Sequence, residues 1–221
     1  MPVSRRAIVR SCLLAAALHA GFAAAATPAQ LAEFFRAVQL DNAGAVQELV
    51  GKTVNANEVN PIGGEPALVI AVREGSMRVF DALLAHPGTD LEASAMNGNT
   101  ALMMAAYKRN KRAAVALLDK GAKVNRAGWT PLHYAAASGD ADIAALLIAR
   151  QARLDAASPR ESGAYTPLMM AAREGQLAVV RLLLEKGARA GLTNTEGLTA
   201  ARIAERGGHT AIAEAISAVS Q

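Results

Sequence analysis

The stretch from Gly128 to Ala152, GWTPLHYAAASGDADIAALLIARQA, contains the signals for two short helices separated by a turn. Thr130-Pro131 predicts the start of the first helix, because proline has a fixed φ and loses nothing by lacking an N–H in the first turn. Ser138-Gly139 predicts its end, since glycine most easily adopts a positive φ. Asp140 is a suitable cap for a second helix. The buried stripe of that helix follows a spacing of three to four residues: Ile143, Leu146 and Leu147.

The same pattern recurs along the chain. Successive units open at Pro66, Thr100, Thr130, Thr166 and Thr199, at spacings of 34, 30, 36 and 33 residues. The short second spacing, of 30 residues, predicts a retracted hairpin between the third and fourth units. The longer third spacing, of 36 residues, predicts a protruding insert over 155–165. Arg109-Asn110 replaces the turn glycine of the third unit, and we expect asparagine to keep that turn because it tolerates the left-handed conformation. The six predicted units cover residues 29–55, 60–92, 97–125, 127–155, 162–192 and 194–221.

This TPLH-x-AA-x-x-G…LL unit resembles the ankyrin repeat, a β-turn followed by two antiparallel helices with a period of about 33 residues. The resemblance extends over nearly all of residues 27–221. It implies an all-α ankyrin-repeat solenoid with short β-hairpin fingers, in which each unit buries its apolar face only against its neighbours. It also implies a non-catalytic chain that binds another protein through its concave face and needs no cofactor.

The first 26 residues have the composition of a bacterial export signal. Residues 4–10 are basic, residues 12–23 are apolar, and three alanines supply a cleavage site before Thr27. The string SRRAIVR also resembles the twin-arginine signal, which exports folded proteins. An ordinary Sec signal and an uncleaved anchor are the alternatives. We therefore expect a periplasmic or secreted protein with a cleaved signal.

The charge balance depends on whether that signal is counted. The whole chain has 23 basic and 19 acidic residues, whereas the chain after residue 26 has 20 against 19, a net charge of +1. This balance gives no reason to expect nucleic-acid binding. The only cysteine, Cys12, lies in the signal, so the remainder needs no disulfide in an oxidising compartment. We also expect no membrane association after cleavage, and a monomer.

The sequence gives little support for catalysis or metal binding. In units that resemble this one, the histidine at the position of His133 bonds to the threonine of its own motif, so a structural role is expected. Met103-Met104 and Met169-Met170 resemble thioether ligands for Cu(I), but methionine more often fills gaps in a core. An enzyme or metal-binding protein is therefore the remote alternative.

The resemblance places two sets of residues on the concave face: those just before each opening Thr or Pro, and those just after the Ala-Ala pair of each first helix. Trp, Tyr and Arg are the residues most enriched at binding hot spots, whereas we expect Tyr134 to lie in the core. Two roles remain open for this chain: that of an adaptor or accessory protein, and that of an inhibitor or immunity protein that neutralises a toxin or hydrolase. The mixed Arg–Glu face argues against a strongly charged partner. The predicted partner-binding residues are Glu65, Arg73, Glu74, Asn99, Tyr107, Lys108, Trp129, Tyr165, Arg173, Glu174 and Leu198.

Overall fold

The computed structural model describes residues 25–219, which form twelve α-helices in six pairs and one short 3-10 turn at Arg160–Ser162. The predicted all-α repeat solenoid is confirmed. The helices are α1 (Pro28–Gln39), α2 (Ala43–Leu49), α3 (Ala67–Glu74), α4 (Met77–Ala85), α5 (Ala101–Tyr107), α6 (Lys111–Asp119), α7 (Pro131–Ser138), α8 (Ala141–Ala149), α9 (Pro167–Arg173), α10 (Leu177–Glu185), α11 (Ala200–Arg206) and α12 (Thr210–Val219).

The helices are arranged in two layers. The first helices of successive units pack side by side, from α1 through α3, α5, α7 and α9 to α11, and each second helix packs on its own first helix. The alanine pairs explain the close packing in the first layer: Ala105, Ala106, Ala135 and Ala136 are fully buried, and their small side chains let neighbouring backbones approach. Because no unit encloses its own apolar residues, the core is one continuous cluster shared by all six units.

The loops between units are less regular than the predicted hairpin fingers. Within residues 25–219, antiparallel pairing is limited to two single bridges, Val59 with Pro66 and Ser94 with Thr100. The predicted protruding insert is tied down at both ends. Ser158 is buried and exchanges hydrogen bonds with the backbone of Tyr165, and the carbonyl of Gly163 accepts from the N–H of Thr195 at 2.9 Å. Between Ser158 and Gly163, only the residues of the 3-10 turn are exposed.

The turn inside each unit has one residue with positive φ. Glycine occupies this position in four units, as at Gly75 and Gly139, while Asp41 and Arg109 occupy it in the first and third. Arg109, with φ 56°, and not Asn110 as we expected, takes the left-handed conformation. Asn110 instead caps α6, because its side-chain oxygen accepts from the N–H of Ala113 at 3.0 Å.

Replacing Arg109 by glycine is expected to stabilise the fold by about 0.5 kcal/mol, because a left-handed arginine carries backbone strain that glycine avoids. The matched control is Gly75→Ala at the equivalent position. A Cβ there would meet no neighbouring atom, so its expected cost of about 1 kcal/mol reflects conformation alone. Urea unfolding measures the free energy of unfolding of both variants, which is expected to rise in Arg109→Gly and to fall in Gly75→Ala. A loss of stability in Arg109→Gly would contradict the expectation.

The predicted export signal lies outside the described residues apart from Ala25 and Ala26. Over residues 25–219, none of the helices combines the length and the apolar character needed to span a bilayer.

Candidate functional site

A groove of about 640 Å³ opens where the ends of α5, α7 and α9 meet. It exists because adjacent units carry side chains of different size at equivalent positions. Ala137 and Ser138 at the end of α7 are flanked by Tyr107 and Lys108 at the end of α5 and by Arg173 and Glu174 at the end of α9. The small pair forms a depression between two taller walls. We call this feature, lined by these residues and by Arg109, Trp129, His133, Tyr134 and Met170, the central groove.

Three aromatic side chains form a connected array in the central groove. The ring of Tyr134 meets Tyr107 edge to face at 6.2 Å between centroids and meets Trp129 at 6.4 Å. Trp129 also contacts the ring of His133 at 5.2 Å. Such geometries are favourable for aromatic pairs, so each ring restrains the next. Tyr107 is 54% exposed and Trp129 is half-buried, so the array is both held in place and accessible.

Tyr134 was predicted to lie in the core, but it is only half-buried: its side chain packs against the core cluster on one side and lines the central groove on the other. Its hydroxyl donates a hydrogen bond to the side-chain oxygen of Asn99, which is itself buried. Burial raises the pKa of Tyr134, although the hydrogen bond with Asn99 and the charge of Arg126 act in the opposite direction. The phenol therefore remains a neutral donor, and Asn99 fixes its position from beneath.

His133 forms the floor of the groove and has the structural role expected of it. The N–H of Thr130 donates to Nδ1 at 3.1 Å, and the threonine hydroxyl lies 2.9 Å from the same nitrogen. Because Nδ1 accepts, Nε2 carries the proton and donates to the carbonyl of Tyr165 at 2.9 Å. Burial lowers the pKa of His133 to about 4, against the opposing effect of backbone hydrogen bonds. The ring is thus neutral at pH 7 and joins the fourth unit to the fifth.

Cationic side chains outnumber anionic ones along the walls of the groove. Arg173 and Glu174 form an ion pair at 2.8 Å, and the guanidinium of Arg173 also lies 5.2 Å from the centre of the Tyr165 ring. Arg109 lies 3.9 Å from Asp140, whose carboxylate already accepts from the N–H of Ile143. Lys108 makes no ion pair within residues 25–219. The lining therefore has three cations and one carboxylate.

The structure divides the predicted partner-binding residues into two groups. Tyr107, Lys108, Trp129, Arg173 and Glu174 line the central groove together. The others lie elsewhere. Glu65 and Glu74 are both paired with Arg73 in the second unit, at 2.6 and 3.0 Å. Asn99 is buried beneath Tyr134, Tyr165 lies under Arg173 beside the groove, and Leu198 is half-buried in the sixth unit.

Sequence reasoning missed Arg109 and Tyr134, and it placed Ala137-Ser138 on the concave face without recognising the depression that this pair forms. Arg109 stands at a turn-glycine position, Tyr134 at the position of Ile70 and Met104, and Ala137-Ser138 at that of Tyr107-Lys108. A comparison of side-chain volume at equivalent positions would have shown the depression. Considering each unit by itself could not show it.

A second hollow, of about 450 Å³, lies among the linkers and contains three arginines. Each guanidinium already has a partner within the protein. Arg126 donates to the carbonyl of Gly98, Arg153 to that of Arg126, and Arg189 pairs with Asp155 at 2.8 Å. These arginines bond the linkers to one another. The central groove is therefore the stronger candidate for a binding site. In the part of the chain that the structure describes, no group of three or more His, Cys, Asp or Glu residues is placed to hold a metal ion.

Six stacked helix pairs with equivalent turns define a helical-repeat solenoid. The family profile described as "Ankyrin repeats (3 copies)" matches residues 34–127, 79–158, 125–194 and 155–219. The chain therefore belongs to the ankyrin repeat family. Ankyrin repeats are protein-interaction modules, and the family is in general not catalytic.

The relatives that match the chain include much longer proteins from animals. Human "SH3 and multiple ankyrin repeat domains protein 1" is 36% identical over 133 residues, which is 58% of this chain and 6% of the relative. "Neurogenic locus notch homolog protein 1" of Xenopus laevis is 31% identical over 128 residues, 57% of this chain and 5% of the relative. Mouse "Protein fem-1 homolog A-like" is 40% identical over 76 residues, 33% of this chain and 12% of the relative. The chain thus spans only a small part of the length of each of these relatives.

Proposed function

We propose that this chain is a non-catalytic binding protein that holds another protein in the central groove. The observation that carries the proposal is the aromatic array of Tyr107, Tyr134 and Trp129, which is accessible although its rings restrain one another. Aromatic residues supply much of the binding energy of interfaces when they are buried by a partner. Since the array is already ordered, little conformational freedom is lost on binding.

The location of this activity is a separate part of the proposal. We propose that residues 1–26 direct export to a bacterial periplasm and are removed before Thr27. The support is the order of basic, apolar and small residues in the sequence. The absence of cysteine after residue 26 is compatible with an oxidising compartment. An adaptor or accessory role for an exported partner is the form of binding that we favour.

A pull-down from the periplasmic extract of the source cells tests both parts. The wild-type chain is expected to retain a specific protein, and Trp129→Ala/Tyr165→Ala is expected to weaken its retention by about 30-fold or more. Tyr165 is included because its ring supports Arg173 from below. Mass spectrometry of the chain recovered from that extract is expected to find Thr27 as its first residue.

The control variant is Arg112→Ala, an exposed residue of α6 whose partner is Asp81 of α4. It removes an exposed side chain from the second-helix layer and should leave retention unchanged. Full retention by Trp129→Ala/Tyr165→Ala, with its helical content intact by circular dichroism, would refute binding in the central groove. An intact N-terminus on the exported chain would refute signal cleavage.

A further inference from the structure

We infer that the central groove binds an extended protein segment in which an aspartate or glutamate lies beside an apolar or aromatic residue. This inference rests on the proposed function and specifies the chemistry of the partner. It also changes the expectation drawn from the sequence, where the Arg–Glu pairs argued against a charged partner. In the structure, the arginine and the glutamate of each pair neutralise each other, and the cations Lys108 and Arg109 remain in the groove.

The first step concerns which charges are available to a partner. Arg173 and Glu174 neutralise each other at 2.8 Å, as do Arg73 and Glu65 in the second unit at 2.6 Å. Lys108 and Arg109 have no comparable partner: Lys108 makes no ion pair among the described residues, and the nearest carboxylate to Arg109 is 3.9 Å away. Tyr107, Lys108 and Arg109 form the wall of the groove at the end of α5, which we call the α5 wall. The two neighbouring cations give this wall its positive charge.

A comparison with the second-helix layer shows that short ion pairs are common elsewhere in this protein. Arg112 pairs with Asp81 at 2.6 Å, Arg150 with Asp119 at 2.7 Å, and Lys111 with Asp142 at 2.9 Å, in each case between adjacent units. The α5 wall has the only cations that line the central groove without such a short pair. A carboxylate of a partner could form short, charge-assisted hydrogen bonds there.

The second step concerns where the apolar part of the partner would lie. Tyr107 directly precedes Lys108, and its ring is 6.2 Å from that of Tyr134. The aromatic array is therefore adjacent to the α5 wall. Ala137 lowers the floor beside it and leaves room for a side chain. An apolar residue placed on this array brings a neighbouring acidic residue to Lys108 and Arg109. Because the aromatic array and the two cations are adjacent, the groove selects for an apolar residue and an acidic residue that lie next to each other in the partner.

The third step concerns the shape of the ligand. The groove crosses three units, from Tyr107 of the third to Arg173 of the fifth, and is open to solvent along its length. A segment that contacts all three units must run across the first helices, and an extended chain covers that distance with few residues. The aromatic array supplies the affinity, while the cations select for acidic segments and increase the association rate.

Panning a phage library of random heptapeptides against the full chain tests this inference without assuming a sequence. Clones are counted as groove-dependent if Ala137→Arg abolishes their binding, and circular dichroism verifies that this variant is folded. Groove-dependent clones are expected to contain an acidic residue next to an apolar or aromatic one about three times more often than the starting library. A synthetic peptide from the best clone should bind about tenfold more tightly than its Asn/Gln counterpart.

The charge-removing variant is Lys108→Gln/Arg109→Gln, and its control is Lys120→Gln/Lys123→Gln, which removes two exposed lysines that do not line the groove. We expect the first variant to lose the preference for the acidic peptide and the second to keep it. Groove-dependent clones without acidic enrichment, or no groove-dependent clones at all, would overturn the inference. The proposed function stands or fails separately, by whether retention of the natural partner depends on Trp129 and Tyr165.

Discussion

Lowering the pH from 7 to 5 is expected to reduce the free energy of unfolding by about 2 kcal/mol through His133 alone. Burial lowers the pKa of this histidine from 6.5 to about 4, and the side chain is 1% exposed. Well above pH 6.5 the imidazole is neutral in both states, so its contribution to stability is constant. Below it the unfolded chain takes up a proton that the folded chain excludes, and stability falls until the pH approaches 4.

The chain itself supplies the matched control for this effect. Met103 and Met169 occupy the position of His133 in the neighbouring units, and each sulfur accepts from the N–H of its threonine at 3.4 Å. His133→Met should therefore fit the site. It loses the hydrogen bond to the Tyr165 carbonyl, which still accepts from the N–H of Ser158 at 2.8 Å, so a cost of about 1 kcal/mol is expected at pH 7.

Urea unfolding of both proteins at pH 7 and pH 5 isolates the contribution of the histidine. The wild type should lose about 2 kcal/mol more than His133→Met between the two pH values. Every other titratable group is present in both proteins, so its contribution cancels in the difference between the two losses. An equal loss in the two proteins would mean that His133 takes up a proton as readily in the folded state as in the unfolded state, which contradicts the lowered pKa of this buried imidazole.

Ala137→Arg is expected to weaken binding of the partner by about 100-fold while leaving the fold intact. Ala137 lies on the floor of the central groove, and the new side chain would occupy the space that a partner needs. The fold should tolerate it because the fifth unit carries Arg173 at the equivalent position. The expected change in unfolding free energy is below about 1 kcal/mol.

Ala149→Arg is the control for this substitution, because it adds the same side chain to an exposed position at the end of α8. Affinity measured by calorimetry with the captured partner should be unchanged by Ala149→Arg. Tight binding by Ala137→Arg, in a protein that unfolds at the wild-type urea concentration, would show that the partner does not occupy the groove.

The fold could be predicted from the sequence because its signals are local and repeated. Thr130-Pro131, the turn glycine and the paired leucines each act within a few residues, and six imperfect copies reinforce one another. Arg109 is the informative exception. Asparagine was the better intrinsic candidate for a positive φ, but Asn110 is needed as the cap of α6, so the strain falls on the arginine.

The central groove could be predicted only in part, because it depends on differences between units that only stacking brings together. Tyr107 and Trp129 were found from their residue type and position. Tyr134 was assigned to the core because it lies within a helix beside His133, yet the small Ala137 leaves its ring at the groove surface. Asn99 was placed among the partner-binding residues of the concave face, whereas it is buried and accepts a hydrogen bond from the Tyr134 hydroxyl.

Photo-crosslinking tests most directly whether the groove holds the partner. Benzoylphenylalanine is placed at Tyr107, which is 54% exposed in the groove, and separately at Ala145, an exposed residue of α8. Irradiation with the captured partner should give a crosslink from position 107 and none from position 145. Efficient crosslinking from 145 with none from 107 would contradict the account.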